Sequence, residues 1–154
     1  MASERHELDL YLASIDADGY VRIIGRKKEL IINAAGKNLS PNAIEAAVKA
    51  ATPLVAHVCA IGDARPYLVA LVVPDPDATV GMAPAALHTA IEAAIERANR
   101  DLARVEQIKR FALVQDEWRP GSEYITPTQK LRRTQIARDY EQTIDALYAA
   151  SQTS

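Results

Sequence analysis

Two near-continuous apolar runs, Val55 to Ile61 and Tyr67 to Val73, are separated only by Gly62-Asp-Ala-Arg-Pro66, and they constrain the fold more than any other feature. Successive residues of a strand point to opposite faces, so a run that is apolar at nearly every position needs cover on both sides. Both runs therefore read as central strands of a sheet. The cover lies in the flanking sequence. Upstream, Pro41 to Ala51 places Ile44, Ala47, Val48 and Ala51 on one helical face. Ser40 and Pro41 supply the N-cap and first helical residue, and Thr52-Pro53 stops the helix. Downstream, from Pro84 to about Arg104, Leu87, Ile91, Ala94, Ile95, Ala98 and Leu102 form a second apolar stripe.

The remaining elements follow from turn chemistry. Leu8 to Ile15 and Tyr20 to Ile24 read as the strands of a hairpin around Asp16-Ala-Asp-Gly19. Glu29 to Ile32 is a short strand, followed by a turn from Asn33 to Lys37 in which Gly36 can take positive φ. A further strand spans Lys109 to Val114, and Asp116 to Thr128 is a loop carrying two prolines and a glycine. A last helix is expected from near Lys130 to about Ala150, with Ile136, Tyr140, Ile144 and Leu147 inward. Strands and helices alternate without a repeating βαβ unit. The expected fold is α+β, a small mixed sheet flanked by helices and preceded by a short β-hairpin. Residues 1–13 are expected to be a flexible N-terminal segment, 14–150 a single domain, and 151–154 a tail.

Composition narrows the function classes. The chain has 154 residues and a formal net charge of −2, which argues against a general nucleic-acid binder. Its one cysteine, Cys59, lies inside the first apolar run, excludes an intrachain disulfide and fits a reducing, cytoplasmic setting. No apolar run approaches the roughly 20 residues of a membrane-spanning helix. His6, His57 and His88 have no partners at metal-ligand spacing, so no metal site is expected.

Two basic loops remain as candidates for chemistry: Arg26-Lys-Lys28, and Thr126-Pro-Thr-Gln-Lys-Leu-Arg-Arg133. From charge alone the first is a solvated strand end. In the second, Lys130 follows a proline-stiffened loop at an expected helix start, which holds its base while its amine reaches out. Basic residues in a first turn oppose the helix dipole, by roughly 0.3–1 kcal/mol each, a local misfit that an anionic visitor would relieve. Acidic residues are expected on helix surfaces, without an acid–base pair. The phosphate-binding P-loop, dinucleotide-binding and nucleophile-elbow motifs are absent from the sequence.

Taken in order, Gly25-Arg-Lys-Lys-Glu-Leu-Ile31, Gly36-Lys-Asn-Leu-Ser-Pro41 and Thr126-Pro-Thr-Gln-Lys-Leu-Arg-Arg133 resemble the C-terminal domain of adenylate-forming enzymes, most closely long-chain fatty acyl-CoA ligases. The likeness covers about residues 14 to 148. It implies a lid domain of an enzyme that uses ATP and Mg2+ to make an acyl-adenylate and then passes the acyl group to CoA. It also implies a large N-terminal adenylation domain as partner, with fatty acid, ATP and CoA as substrates. None of these is expected to bind stably to the lid alone.

By the same resemblance Lys130 is the adenylation lysine, Lys28 the hinge, and Arg26 a nucleotide-binding residue near the ribose. Asn33, Ala34, Ala35, Gly36 and Lys37 form the CoA-stage loop, where a side chain at Gly36 would obstruct the pantetheine approach. The Thr-Gly-Asp of the family is missing before the hairpin, where Asp9-Leu-Tyr11 stands instead. Neither the ATP phosphate loop nor the acyl tunnel is present. The expectation is a C-terminal ligase domain, inactive without its N-terminal partner. The alternative is a free-standing, non-catalytic lid remnant acting as a binding or regulatory module.

Overall fold

The computed structural model describes residues 4–8, 11–15, 17–26 and 29–149, with 4–8, 11–15 and 21–26 described by their backbone only. Strands β1 (Glu4–Leu8), β2 (Tyr11–Ile15) and β3 (Val21–Arg26) form an antiparallel sheet in that order. The expected hairpin is β2–β3, and Gly19 takes φ +84° in its turn. A third strand, β1, extends it through the register Glu4↔Ile15 to Leu8↔Tyr11.

A two-residue pair follows, β4 (Ile31–Ile32) with β5 (Asn38–Leu39). Helix α1 (Pro41–Ala51) starts where the sequence placed it. The Ser40 hydroxyl accepts from the Ala43 amide at 3.4 Å, and Pro41 needs no hydrogen bond in the first turn. The main sheet contains β6 (Val55–Ile61), β7 (Leu68–Pro74) and β8 (Ile108–Leu113), in the order β6-β7-β8. β6 and β7 run antiparallel, whereas β7 and β8 are parallel, the direction reversal being carried by α2 (Pro84–Arg100). A 3-10 turn over Arg104–Glu106 leads into β8. Helices α3 (Arg133–Asp139) and α4 (Glu141–Ala149) end the described chain.

The period-two alternation of β7 divides the core. Leu68, Ala70 and Val72 face one layer, with Ile44 and Val48 of α1 and Ile91 and Ile95 of α2. Val69, Leu71 and Val73 face the other, with Trp118, Ile125, Ile136, Ile144 and Tyr148. The two-sided cover inferred from the apolar runs is real, but only β7 is central. Among the described residues β6 is an edge strand of this sheet, apolar because both layers extend over it.

The C-terminal helix also differs from expectation. It begins at Arg133 rather than Lys130 and is interrupted at Tyr140. Leu131 bridges to Ile125 and the Arg132 amide donates to the Tyr124 carbonyl at 2.8 Å, so these residues belong to a loop ladder. The Tyr140 hydroxyl donates to Asp116 at 2.6 Å and accepts from the Trp118 indole N–H at 3.2 Å, fixing the break to the loop beneath it.

Two buried acids give the domain an alkaline limit. Burial pushes the Cys59 thiol up to about 12 from an ordinary 9.0, reinforced by the Glu45 charge and opposed by Arg133. Burial likewise pushes the Tyr148 hydroxyl up to about 12 from 10.0, with Arg65 acting the other way. Both groups hold their protons more tightly folded than unfolded. Their contribution is therefore complete below pH 9 and is lost as pH rises through 9 to 12. Circular-dichroism melts should show Tm level up to about pH 9 and falling steadily above it. A Tm unchanged between about pH 9 and pH 11 would contradict this assignment.

Candidate functional site

Lys130 sits at the end of a tight loop that is closed on itself. The Thr126 amide donates to the Lys130 carbonyl at 2.8 Å, and the Lys130 amide donates to the Thr126 hydroxyl oxygen at 3.0 Å. Between them Gln129 takes φ +64°, a left-handed conformation that a non-glycine residue keeps only when its surroundings dictate it. Next to this loop, Leu131 packs on the core cluster that holds the fully buried Ile125 and the aromatic set Trp118, Tyr124 and Tyr140, with ring centroids 5.5–5.9 Å apart. The Lys130 side chain is exposed, and among the described residues its Nζ has no hydrogen-bond or ion-pair partner.

Arg133, three residues on, is used quite differently. Its Nη1 donates to Glu45 Oε2 at 2.7 Å and its Nη2 to Glu45 Oε1 at 2.6 Å, with Asn42 Oδ1 at 3.0 Å from Nη2. Burial works against the guanidinium charge, but the Glu45 carboxylate outweighs it and holds the Arg133 pKa above its ordinary value. Glu45 is 6% exposed, which corrects the expectation that acidic residues lie on helix surfaces. The helix-dipole misfit is correspondingly altered: Lys130 precedes α3, Arg132 is its N-cap, and Arg133 is neutralised locally.

Lys130, Gln129 and Arg133 share a cleft of about 530 Å³ with Asn42, Lys49 and His57. From the sequence His57 is considered only as a metal ligand, and its place in this cleft comes from the fold. Burial, with the charge of Lys49, lowers its pKa and favours the neutral ring, against a backbone hydrogen bond at Trp118. Among the described residues no group of three His, Cys, Asp or Glu could hold a metal ion.

The Asn33–Lys37 turn is braced from within and from below. Asn33 Oδ1 accepts from the Ala35 amide at 3.0 Å and the Lys37 amide at 2.9 Å, while the Asn33 amide donates to the Lys37 carbonyl at 3.0 Å. Asparagine suits this position because its side chain replaces a backbone acceptor. The loop is docked on the β6–β7 turn through Ala34 N–H to Arg65 C=O at 2.9 Å and Ala64 N–H to Ile32 C=O at 2.8 Å. Arg65 in turn bonds Asp145 at 2.8 Å and lies 4.4 Å over the Tyr148 ring. Gly36 has φ +80°, and a Cβ there would meet nothing within 4 Å. Inside this chain the glycine answers backbone geometry alone.

Lys28 lies outside the described residues. Arg26 is described by its backbone, which ends β3 opposite Tyr11.

These elements are shared with known proteins. The family described as "AMP-binding enzyme C-terminal domain" matches residues 28–152. The Mycobacterium tuberculosis protein named as fatty-acid–CoA ligase fadD11 is 47% identical over 150 residues, covering 88% of this chain and 26% of its own length. Long-chain-fatty-acid–CoA ligase FadD15 of the same organism is 32% identical over 153 residues, covering 89% of this chain and 25% of its own. The chain thus spans about a quarter of the length of these relatives. Among solved structures, the adenylation domain of a carboxylate reductase from Mycobacterium chelonae has the same fold, with a TM-score of 0.77 at 24% identity over 92% of this chain and 23% of that one. Mycobacterium tuberculosis fatty acyl CoA synthetase gives 0.55 at 25% identity over 86% of this chain and 24% of that one. With the family match covering most of its length, the chain belongs to the AMP-binding enzyme C-terminal domain family.

Proposed function

We propose that this chain is the C-terminal part of a fatty acid–CoA ligase, in which Lys130 serves adenylate formation and the Asn33–Lys37 loop serves thioester formation. The observation that carries the reading is the contrast between two cations three residues apart: Arg133 is spent inside the fold, while the Lys130 amine has no partner among the described residues and stands on a braced loop. The names of fadD11 and FadD15 supply the substrate class.

In the first half-reaction a carboxylate oxygen attacks the α-phosphorus of ATP, and the bond to pyrophosphate breaks. Both reactants are anions, so a positive charge held between carboxylate and α-phosphate stabilises the transition state more than the separated reactants. Lys130 supplies that charge from a backbone fixed by two hydrogen bonds, leaving its four-carbon stem to reach. In the second half-reaction the CoA sulfur attacks the acyl carbonyl and AMP departs. The compact, exposed Asn33–Lys37 turn presents backbone and a glycine rather than bulk to that approach. Lys28 and Arg26 take the hinge and ribose positions in this reading.

The test is complementation. The chain is mixed with an N-terminal adenylation domain of a fatty acid–CoA ligase lacking its own C-terminal part, and pyrophosphate release is followed with ATP and a long-chain fatty acid. Release that requires both pieces is the expected result. No gain over the N-terminal piece alone, together with tight binding of this chain to a different protein, would establish the non-catalytic module instead.

A further inference from the structure

We propose that Arg133 is the positioning residue of the Lys130 loop, locking that loop to α1 through Glu45 and Asn42; this rests on the role given to Lys130 above. The lock joins three elements that are far apart in sequence. Arg133 is the first residue of α3, Asn42 and Glu45 lie on the first turns of α1, and Glu45 Oε2 also accepts the Ala60 amide of β6 at 2.8 Å. Arg133 Nη1 lies 3.9 Å from Cys59 Sγ on the same strand.

Neither local structure nor packing demands a charge here. An arginine at the start of α3 opposes the helix dipole, and burying an ion pair costs desolvation that an apolar pair of similar volume avoids. A two-point fork instead fixes the direction of the side chain, and therefore the register of α3 against α1. That register is transmitted over a short path. Arg132 N–H bonds Tyr124 C=O, Leu131 pairs with Ile125, and Lys130 closes on Thr126. The N-terminal side of the loop is held by Ile125 and Trp118 in the core, whereas its C-terminal side is anchored through α3. The left-handed Gln129 between these anchors is a conformation that relaxes if either is released. Arg133 and Lys130 also line the same cleft, so a shift of α3 moves the lysine relative to the groups opposite it.

Arg133→Met keeps the aliphatic stem, and Arg133→Lys keeps the charge but loses the fork. In the chain itself, amide hydrogen exchange at Thr126 and Lys130 should accelerate about tenfold or more in Arg133→Met and less in Arg133→Lys, with β7 amides unchanged. Unchanged exchange at Thr126 and Lys130 in either folded variant overturns the proposal; if Arg133→Met fails to fold, Arg133→Lys and Asn42→Ala carry the same measurement. In the complemented ligase, Arg133→Lys should lower kcat for adenylate formation about tenfold at unchanged KM, while transfer from preformed acyl-adenylate stays within about twofold. Equal loss in both half-reactions, or loss in neither, identifies a purely structural arginine and overturns the proposal. Lys130→Ala is measured alongside: if it leaves adenylate formation intact, the reading of Lys130 falls and takes the proposal with it, whatever the exchange data show.

Discussion

Lys130→Ala in the complemented ligase is expected to slow adenylate formation by about 10²–10³-fold, the range found when one preorganised donor to a developing anion is removed. Thioester formation from preformed acyl-adenylate should change little. The asymmetry follows from where charge accumulates. Only the first half-reaction brings a carboxylate against a phosphate, and only there does a cation between them lower the barrier. The fold should not notice. The Lys130 side chain is exposed and its loop is closed by backbone groups and Thr126, all of which survive in alanine. Stability is expected to stay within about 0.5 kcal/mol, checked by urea titration of Trp118 fluorescence. That indole, 2% exposed and the sole tryptophan of the chain, reports on the core cluster against which Leu131 of the loop packs. A deficit shared equally by the two half-reactions would remove Lys130 from the adenylation step.

How far the sequence led depended on whether the governing interaction was local. Helix α1 was legible to its ends because Ser40, Pro41 and Thr52-Pro53 act on their own neighbours. The Asn33–Lys37 turn was legible for the same reason, since Gly36 must tolerate positive φ and Asn33 braces the turn from within, whereas its docking on Ala64 and Arg65 is long-range and was not. Lys130-Leu-Arg-Arg133 misled because all four residues are good helix formers, and the pairing of Leu131 with Ile125 and of Arg132 with Tyr124 is set by the loop's own fold. Glu45 was the largest omission. On a helix wheel it borders the apolar face, and its partner lies 88 residues away, beyond what periodicity can connect. The misplacement of β6 has a related cause. Two-sided apolar patterning reports burial of both faces, not pairing of both edges, and the Ala60 N–H on its edge is satisfied by Glu45.

Glu45→Ala should be the most destabilising single change at the site, by about 3–5 kcal/mol, because it breaks a buried pair from one side only. Three hydrogen bonds end on this carboxylate: two from Arg133 and one from the Ala60 amide. Without it, the guanidinium keeps, among the described residues, the Asn42 bond, the weak contact to Cys59 and the favourable charge of Glu29, and the Ala60 N–H loses its acceptor. Arg133 retains 22% side-chain exposure, so partial rehydration brings the expectation to the lower end, about 3 kcal/mol. Glu45→Gln should cost less, since an amide oxygen can still accept from Ala60 while the charge attraction is lost. The informative comparison is the double variant Glu45→Met with Arg133→Met. Removing both charges leaves no orphaned guanidinium, so much of the single-variant loss should return in urea titrations, even though the Ala60 N–H remains unpaired. If the double variant is as unstable as Glu45→Ala, the stabilisation resides in the Ala60 bond. If it recovers, the ion pair contributes direction rather than net stability, which is what fixing the Lys130 loop requires.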